Sequence, residues 1–526
     1  MTVPTQRPAH SSRRNADMND VVNRVVDTLL ATDAYKLDHR RQYPPGTEVV
    51  FSNLTARGTR IPGVEVTVFF GLQALLTQIT ERWDEFFSLD EAALDAVLAE
   101  YDNVVTSLLG ANDVGTEHFR VLHSIGYLPL RIKAFREGAL VPLRVPYFTV
   151  ENTDPRVFWL TNYLETELSA ELWQPITSAT LAWRNRMLLD ERAQESGDPA
   201  AVDYQGHDFS CRGMAGMRAA AASSAGHLLS FRGTDTLSAI GYINRYYPGD
   251  NGIVAGSCPA TEHSVMCAGG RDAEFETFER LLDLYPSGTL AIVSDTYDLW
   301  QVCTDFLPRL KDKIMARNGK LVIRPDSGDP ELILCGDPNA PAGSPVWRGV
   351  VNLLAEEFGT TVNDKGYWDL DPHVGAIYGD SITYERADAI TANLMRQGFA
   401  STTVVFGYGS YTYQYQTRDT FKMAMKATWV QINGQGRDIQ KDPVTDDGTK
   451  KSATGRLAVR RMMDSRPYLI EHANPEQEAT QALLLTYEDG KLLRQSSFAD
   501  VRDELGYETG LYLRRTRGAA TGQEAR

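Results

Sequence analysis

The sequence predicts an α/β protein: an irregular α/β barrel together with an α+β domain assembled from both ends of the chain. Three observations predict this. Six short apolar runs in the middle of the sequence each end in Gly, Asp, Ser or Arg, and helical stretches separate them, which is the pattern of βα units on a parallel sheet. Strand-like stretches broken by Gly and Pro turns lie before and after this region, without that alternation. Finally, 526 residues exceed the size at which a single core stops growing.

Composition narrows the functional classes. Hydrophobic residues are 42% of the chain and charged residues 23%, as in ordinary globular proteins. No apolar run reaches the roughly 18 residues of a membrane helix, so no membrane partner is expected. The net charge of −16 argues against a nucleic-acid partner, whose phosphates need a basic face. It leaves room for a small phosphorylated substrate in a local basic pocket. Five cysteines, few and odd in number, fit a reducing cytoplasm. Cys258, His263 and Cys267 match no zinc spacing. Residues 1–20 contain Arg, Ser and Pro but no apolar core, so they are expected to be a disordered leader rather than a secretory signal.

In chain order, residues 21–155 read as the N-terminal α+β domain. Asp33 and Tyr35 precede a Pro-Pro-Gly turn and an alternating strand from Glu48 to Leu54. Gly71 to Phe87 has helical apolar spacing. Ser88 to Glu91 reads as a capping box opening a second helix to about Val105. Strand-like patterns fill Gly126 to Val150. Residues 156–418 read as the barrel, entered by a long helix, Trp159 to Glu195, interrupted near Pro175. Cys335 to Gly349 is a Pro/Gly-rich loop that looks inserted. Residues 419–513 return to strand-like stretches, carry many Lys and Arg, and are expected to pack back on the first domain. Residues 514–526 are expected to be a disordered tail.

The chemistry lies at the ends of the apolar runs. In LVIRPDSGDP, Pro325 keeps Arg324 extended, and the turn then fixes Arg324 and Asp326 close together where a strand emerges. A strand-end salt bridge would explain this stretch alone. HDFSCRG, however, gives Phe209 and Arg212; FRGTDT gives Asp235; TLAIVSDTYD gives Asp295; VGAIYGDSI gives Gly379 and Asp380; TTVVFGYGSY gives Gly407, Gly409 and Ser410. In parallel α/β folds the carboxyl ends of the strands form the ligand-binding face. Carboxylates alone would suit a metal or a barrel glycoside hydrolase. Carboxylates with arginines and glycine loops suit a sugar phosphate instead. His263, in CPATEHS beside Glu262, is placed to act as a base or as a phosphoryl acceptor.

The series LLATDAYK, HDFSCRG, FRGTDT, CPATEHS, VSDTYD, LVIRPDSGDP and YGDSI, in this order, resembles the nicotinamide phosphoribosyltransferase family over about residues 29–498. The resemblance implies a type II phosphoribosyltransferase-like barrel. The activity would join nicotinamide to 5-phosphoribosyl 1-pyrophosphate, giving nicotinamide mononucleotide and pyrophosphate. It implies Mg²⁺ carried by the substrate phosphates, ATP as phosphoryl donor and no tightly bound organic cofactor. It also implies a cytoplasmic homodimer with shared active sites. Phe209 would stack on one face of the pyridine ring and Tyr35 of a second subunit on the other, with Asp33 also among the nicotinamide-binding residues. Asp235 would accept from the carboxamide, with Arg324 beside the ring. Asp326, Gly379 and Asp380 would hold the ribose. Arg212, Ser257, Gly409, Ser410, Arg418 and Lys426 complete the ribose- and phosphate-binding set. His263 would be the phosphorylated histidine, supported by Asp295. Arg57, Lys441 and Lys450 or Lys451 would reach the ATP polyphosphate.

Two features depart from the family pattern. The loop FGYGSY has fewer consecutive glycines, so the side chains of Tyr408 and Tyr411 are expected where bare backbone would stand. The Lys441 to Lys451 segment is one residue longer. The alternatives are nicotinate as the base, a larger ribosyl-pyrophosphate donor, a barrel glycoside hydrolase, and a non-catalytic binding protein.

Overall fold

The structure, a computed structural model, describes residues 10–441 and 452–523, with side chains over 19–441 and 452–516. It forms two compact units, with breaks after Trp173 and Thr417. The first break falls later than the expected 155 because the next residues pack on the N-terminal part: Asn162 accepts from Ser52 Oγ at 2.9 Å and donates to Tyr43 at 2.7 Å.

One unit is built around a seven-stranded antiparallel sheet. Its order is 435–438, 423–432, 47–56, 146–152, 130–134, 484–488, 491–492, so strands from both ends of the chain share one sheet. The strand Thr47–Ala56 is central and buried on both faces from Val50 onward, not half-exposed as alternation suggested. Its polar residues are tolerated because they are paired: Ser52 with Asn162, and Asn53 with the carbonyl of Lys426. Helices Leu72–Phe87 and Glu91–Leu109 follow the expected spacing. The cap of the second is Asp90, whose carboxylate accepts from Ala93 N at 2.9 Å. Ser88 instead donates to the carbonyl of Glu85 at the end of the first helix.

Both termini depart from expectation. Helix His10–Leu29 extends into the stretch read as a disordered leader, and helix Phe498–Gln523 into the stretch read as a disordered tail. Each has a buried apolar anchor, Val25, Val26 and Leu29 in one and Phe498, Val501 and Leu505 in the other. Once an anchored nucleus exists, adding further residues to a helix is easy. Similarly, helix Glu165–Ser196 runs through Pro175, and the break comes earlier, at Leu164. Part of the expected Cys335 to Gly349 loop is helical, because helices Pro330–Cys335 and Pro345–Phe358 leave only Gly336 to Ser344 between them.

The second unit is the barrel. Six parallel strands run in the order 233–234, 206–208, 404–408, 374–378, 321–324, 290–293. The two edges are joined by one irregular stretch, in which Gly256 bridges Gly233 and Ala260 bridges Ala291, both parallel. Ala291, Val322 and Ile377 meet inside the ring, with Phe209, Cys258 and Val405 packed on them. The strands are parallel, so their carboxyl ends share one face. Among the described residues no helix is long and apolar enough to cross a membrane.

Two histidines are buried without charge. His227, in the barrel unit, donates Nε2–H to the carbonyl of Gly233 at 3.1 Å and accepts from Tyr413 OH at Nδ1 at 2.6 Å. His118, in the other unit, sits among Phe119 and Trp159, and neither ring nitrogen has a partner. Burial pushes His227 down to about 4 and His118 down to about 3, from an ordinary value near 6.5. Below about 6.5 the unfolded chain takes up protons that the folded chain refuses, so stability falls as pH drops from there toward about 4. For His118 alone the loss at about pH 4.5 is roughly 2–3 kcal/mol. Urea denaturation of His118→Phe should therefore show a smaller loss of stability between about pH 7 and about pH 4.5 than the parent chain. Equal losses would mean that His118 does not contribute.

Candidate active site

The carboxyl ends of the barrel strands gather the residues that the sequence singled out in this unit. Strand alternation puts His207 and Phe209 on the inner face and Asp208 on the outer one. The rings of His207 and Phe209 lie 4.5 Å apart, and the Arg324 guanidinium stands 5.4 Å from the Phe209 ring centre. Arg324 Nη1 reaches the carbonyl of Thr261 at 3.4 Å, whereas its buried Nε has no hydrogen-bond partner.

Asp235 follows the strand Gly233–Thr234. Its Oδ1 accepts from His207 Nε2 at 2.9 Å and from Ser257 Oγ at 2.6 Å. Burial pushes this carboxyl up, but the hydrogen bonds from His207 and Ser257, with the Arg324 charge nearby, outweigh it, leaving the group below the ordinary carboxylate range. Asp235 is therefore ionised at neutral pH, beside an aromatic ring and an arginine. Ser257 lies with this group.

Asp208 holds the arrangement from behind. It is fully buried. Oδ1 accepts from Ser210 N at 3.0 Å and Ser210 Oγ at 2.6 Å, and Oδ2 accepts from Thr234 Oγ1 at 2.9 Å and Thr236 Oγ1 at 2.7 Å. Its carbonyl also takes the N–H of Asp235 at 3.0 Å. Neither His207 nor Asp208 was singled out from the sequence. The signal was present in HDFSCRG, since residues two apart on a strand share a face.

A second cluster surrounds His263, at the start of the short helix His263–Cys267. Nε2 lies 3.9 Å from Asp295 Oδ1 and 3.9 Å from Asp326 Oδ2, and Nδ1 lies 3.2 Å from Thr296 Oγ1. The Asp295 side chain is 6% exposed, against 47% for His263. Asp295 Oδ2 accepts from Asp326 N at 2.8 Å and Ser327 Oγ at 2.5 Å, which ties the 324–328 turn to the neighbouring strand end. Asp295 Oδ1 is buried and has no hydrogen bond. It points to the histidine.

Glycine backbone lies between the clusters. A Cβ on Gly379 would stand 2.7 Å from Asp326 Oδ1 and 3.3 Å from Arg324 Nε; one on Gly407 would stand 2.7 Å from Phe209 Cδ2. Asp380 stands exposed just beyond Gly379. The expectation for Tyr408 is corrected. Alternation turns it outward, where it is fully buried, with its ring 5.9 Å from Phe231 and 6.2 Å from His227. Tyr411 does remain exposed, stacked on Tyr415 at 5.0 Å. Bare backbone therefore persists at Gly407 and Gly409, next to Ser410, which opens the short helix Ser410–Tyr413. Arg212 is exposed on the turn Cys211–Gly213. Among the described residues no group of three or more His, Cys, Asp or Glu side chains is arranged to hold a metal ion.

The remaining expected residues lie in the other unit. Tyr35 is 64% exposed although aromatic. Asp33 Oδ2 accepts from Thr166 Oγ1 at 2.6 Å. Glu165 pairs with buried Lys36 at 3.0 Å and stands 3.9 Å from Lys426. Burial lowers the Lys426 ammonium; Glu165 counters this, while Arg57, Lys36 and Arg418 lower it further, so cations outnumber the carboxylate here. Arg57, Lys426 and Arg144 line one cleft of about 270 Å³. Arg144, unremarkable in the sequence, takes a left-handed backbone with φ of 69°. Lys441 is exposed. Lys450 and Lys451 lie outside the described residues.

The sequence and fold are similar to those of known proteins. Residues 204–490 match the nicotinate phosphoribosyltransferase (NAPRTase) family, and residues 27–83 match the nicotinamide phosphoribosyltransferase N-terminal domain. The chain is 49% identical over 498 residues to a protein named nicotinamide phosphoribosyltransferase from Acinetobacter baylyi, covering 92% of this chain and 98% of that one. A protein of the same name from Mycoplasma pneumoniae is 37% identical over 451 residues, covering 83% and 96%. The crystal structure of nicotinate-nucleotide pyrophosphorylase from Pyrococcus furiosus shares the fold with a TM-score of 0.56 at 13% identity, covering 93% of this chain and 96% of that one. With that family match through the barrel and relatives aligned along nearly their whole lengths, the chain belongs to the nicotinate phosphoribosyltransferase (NAPRTase) family.

Proposed function

We propose that this chain transfers the 5-phosphoribosyl group of 5-phosphoribosyl 1-pyrophosphate to nicotinamide, giving nicotinamide mononucleotide and pyrophosphate in NAD salvage. The observation that carries this reading is the ionised Asp235, beside Phe209 and Arg324. The pyridine ring stacks on Phe209, and its carboxamide N–H₂ donates to Asp235. A nicotinate carboxylate at the same place would meet like charge and offer no donor.

In the transfer, the pyridine nitrogen forms a bond to C1 of the ribose as the bond from C1 to the pyrophosphate oxygen breaks. Positive charge grows on the sugar, and Asp326, with Asp380 beyond it, lies at the strand ends to stabilise it. Glycine backbone at Gly379, Gly407 and Gly409, with Ser410 and Arg212, cradles ribose and phosphate. Mg²⁺, when bound, neutralises the departing pyrophosphate. The half-buried carboxylate of Asp326 and the exposed one of Asp380 would suit an ion that keeps most of its ligands on substrate phosphates.

On this reading ATP phosphorylates His263. The γ-phosphoryl group moves to the imidazole and ADP leaves, while Asp295 and Asp326 hold the ring and its proton. The cationic cleft of Arg57 and Lys426, with Arg418 and Lys441, suits a polyphosphate. The chain would act as a cytoplasmic homodimer, a second copy supplying Tyr35 and Asp33 to the other face of the base. The exposure of Tyr35 supports this. A glycoside hydrolase is disfavoured, because a neutral sugar needs neither Arg324 nor bare backbone.

The test is product formation from phosphoribosyl pyrophosphate and Mg²⁺ with nicotinamide or nicotinate, with and without ATP. Product from nicotinamide alone, raised by ATP, is expected; equal product from nicotinate would overturn the assignment of Asp235. Asp235→Ala should raise the KM for nicotinamide at least about tenfold, the size of one hydrogen bond to a charged group, and leave the KM for the ribosyl donor within about twofold. Equal losses for both substrates would sink the role. His263→Ala should remove the ATP stimulation yet keep the basal transfer measured without ATP. Retained stimulation would exclude His263 as phosphoryl acceptor.

A further inference from the structure

We infer that His207, acting through Asp235, sets which base the site accepts, as a positioning residue rather than by touching the base. The inference rests on the reading of Asp235 as the carboxamide acceptor.

Asp235 is 41% exposed at its side chain, and a carboxylate on one rotatable bond would normally present either oxygen. Here both protein donors converge on the same atom: His207 Nε2 at 2.9 Å and Ser257 Oγ at 2.6 Å both reach Oδ1. A carboxylate can only accept, so His207 carries its proton on Nε2. Among the described residues no hydrogen bond reaches Oδ2. The carboxylate is thereby locked with one oxygen occupied and the other open, and the open oxygen is a single acceptor suited to one N–H of an amide.

His207 is itself fixed. Its side chain is 12% exposed and its ring lies against Phe209. Gly233 is its neighbour on the adjacent parallel strand, and a Cβ there would stand 2.6 Å from Nδ1. The ring thus fills the space that a side chain at 233 would need. The length and charge of residue 207 then control both the direction and the net charge of the pair that meets the base.

The experiment compares kcat/KM for nicotinamide and nicotinate in the parent chain, His207→Gln, His207→Phe and His207→Lys. His207→Phe removes the donor, and the nicotinamide preference should fall about tenfold. The change should come through the KM for nicotinamide, with the KM for the ribosyl donor unchanged. His207→Lys places a fixed positive charge beside Asp235 and should lower the preference further, because nicotinate is no longer repelled. His207→Gln keeps a donor and should retain most of the preference. Ser257→Ala, at an exposed position, tests the same lock without risk to the core and should lower the preference about threefold. A parent that prefers nicotinamide, with Phe, Lys and Ser257→Ala variants that keep its ratio, overturns this inference alone. A parent with no preference overturns the reading of Asp235 and this inference together.

Discussion

The buried carboxylate of Asp208 is the constraint on which the His207, Phe209 and Asp235 end of the barrel depends. Its own strand, Gly206–Asp208, and the neighbouring edge strand, Gly233–Thr234, are very short, and so few ladder bonds would hold them weakly. Asp208 adds four hydrogen bonds of its own, two to Ser210 and one each to Thr234 and Thr236. Its burial works against ionisation, and these donors favour the charged form and counter that burial. Because side chains alternate along a strand, a group locked on the outer face fixes the inner one. Ser210 follows Phe209, and Thr234 and Thr236 flank Asp235.

Asp295 plays the corresponding part at the other end of the site. It joins the end of strand Leu290–Val293 to the 324–328 turn through Asp326 N and Ser327 Oγ. The same turn is held from the next strand by Tyr378, whose hydroxyl donates to the carbonyl of Gly328 at 2.9 Å. The turn carrying Arg324 and Asp326 is thus fastened from both sides, while Gly379 leaves the room its side chains need. Rigid strand ends of this kind hold charged groups in fixed positions, the preorganisation on which electrostatic stabilisation depends.

Much of this was legible in the sequence because apolar runs broken by Pro, Gly and Asp mark strand ends directly. LVIRPDSGDP and VGAIYGDSI place Arg324, Asp326 and Asp380 without further help. The irregular stretch that closes the barrel was not legible, because its residues, Gly256 to Thr261, are small or polar, include Pro259, and pair through single bridges. The Asp90 cap was obscured by a competing Ser88 at the position a capping box would use. Tyr408 departs from the loop expectation because, as the last residue of strand Val404–Tyr408, it alternates outward. In HDFSCRG the aromatic and the arginine are the conspicuous residues, although strand period alone separates the roles of His207 and Asp208. The cationic cleft joins residues far apart in the chain, Arg57, Arg144 and Lys426, and no local pattern could have assembled it.

How the three buried or half-buried carboxylates differ explains what each can do. Asp208 has both oxygens saturated by protein donors, so nothing remains for a ligand and its role is structural. Asp235 has Oδ1 doubly occupied, while no hydrogen bond among the described residues reaches Oδ2. Asp295 has Oδ2 doubly occupied, while Oδ1 is buried, unpartnered and 3.9 Å from His263 Nε2. Leaving a buried acceptor unsatisfied costs about 1–3 kcal/mol, and at Asp295 the nearby imidazole of His263 can offset part of it. In both Asp235 and Asp295 one carboxylate oxygen secures the geometry, while the other takes no hydrogen bond from the described residues, and at Asp295 that second oxygen faces His263. That division lets the same group be rigid and still be free to bind.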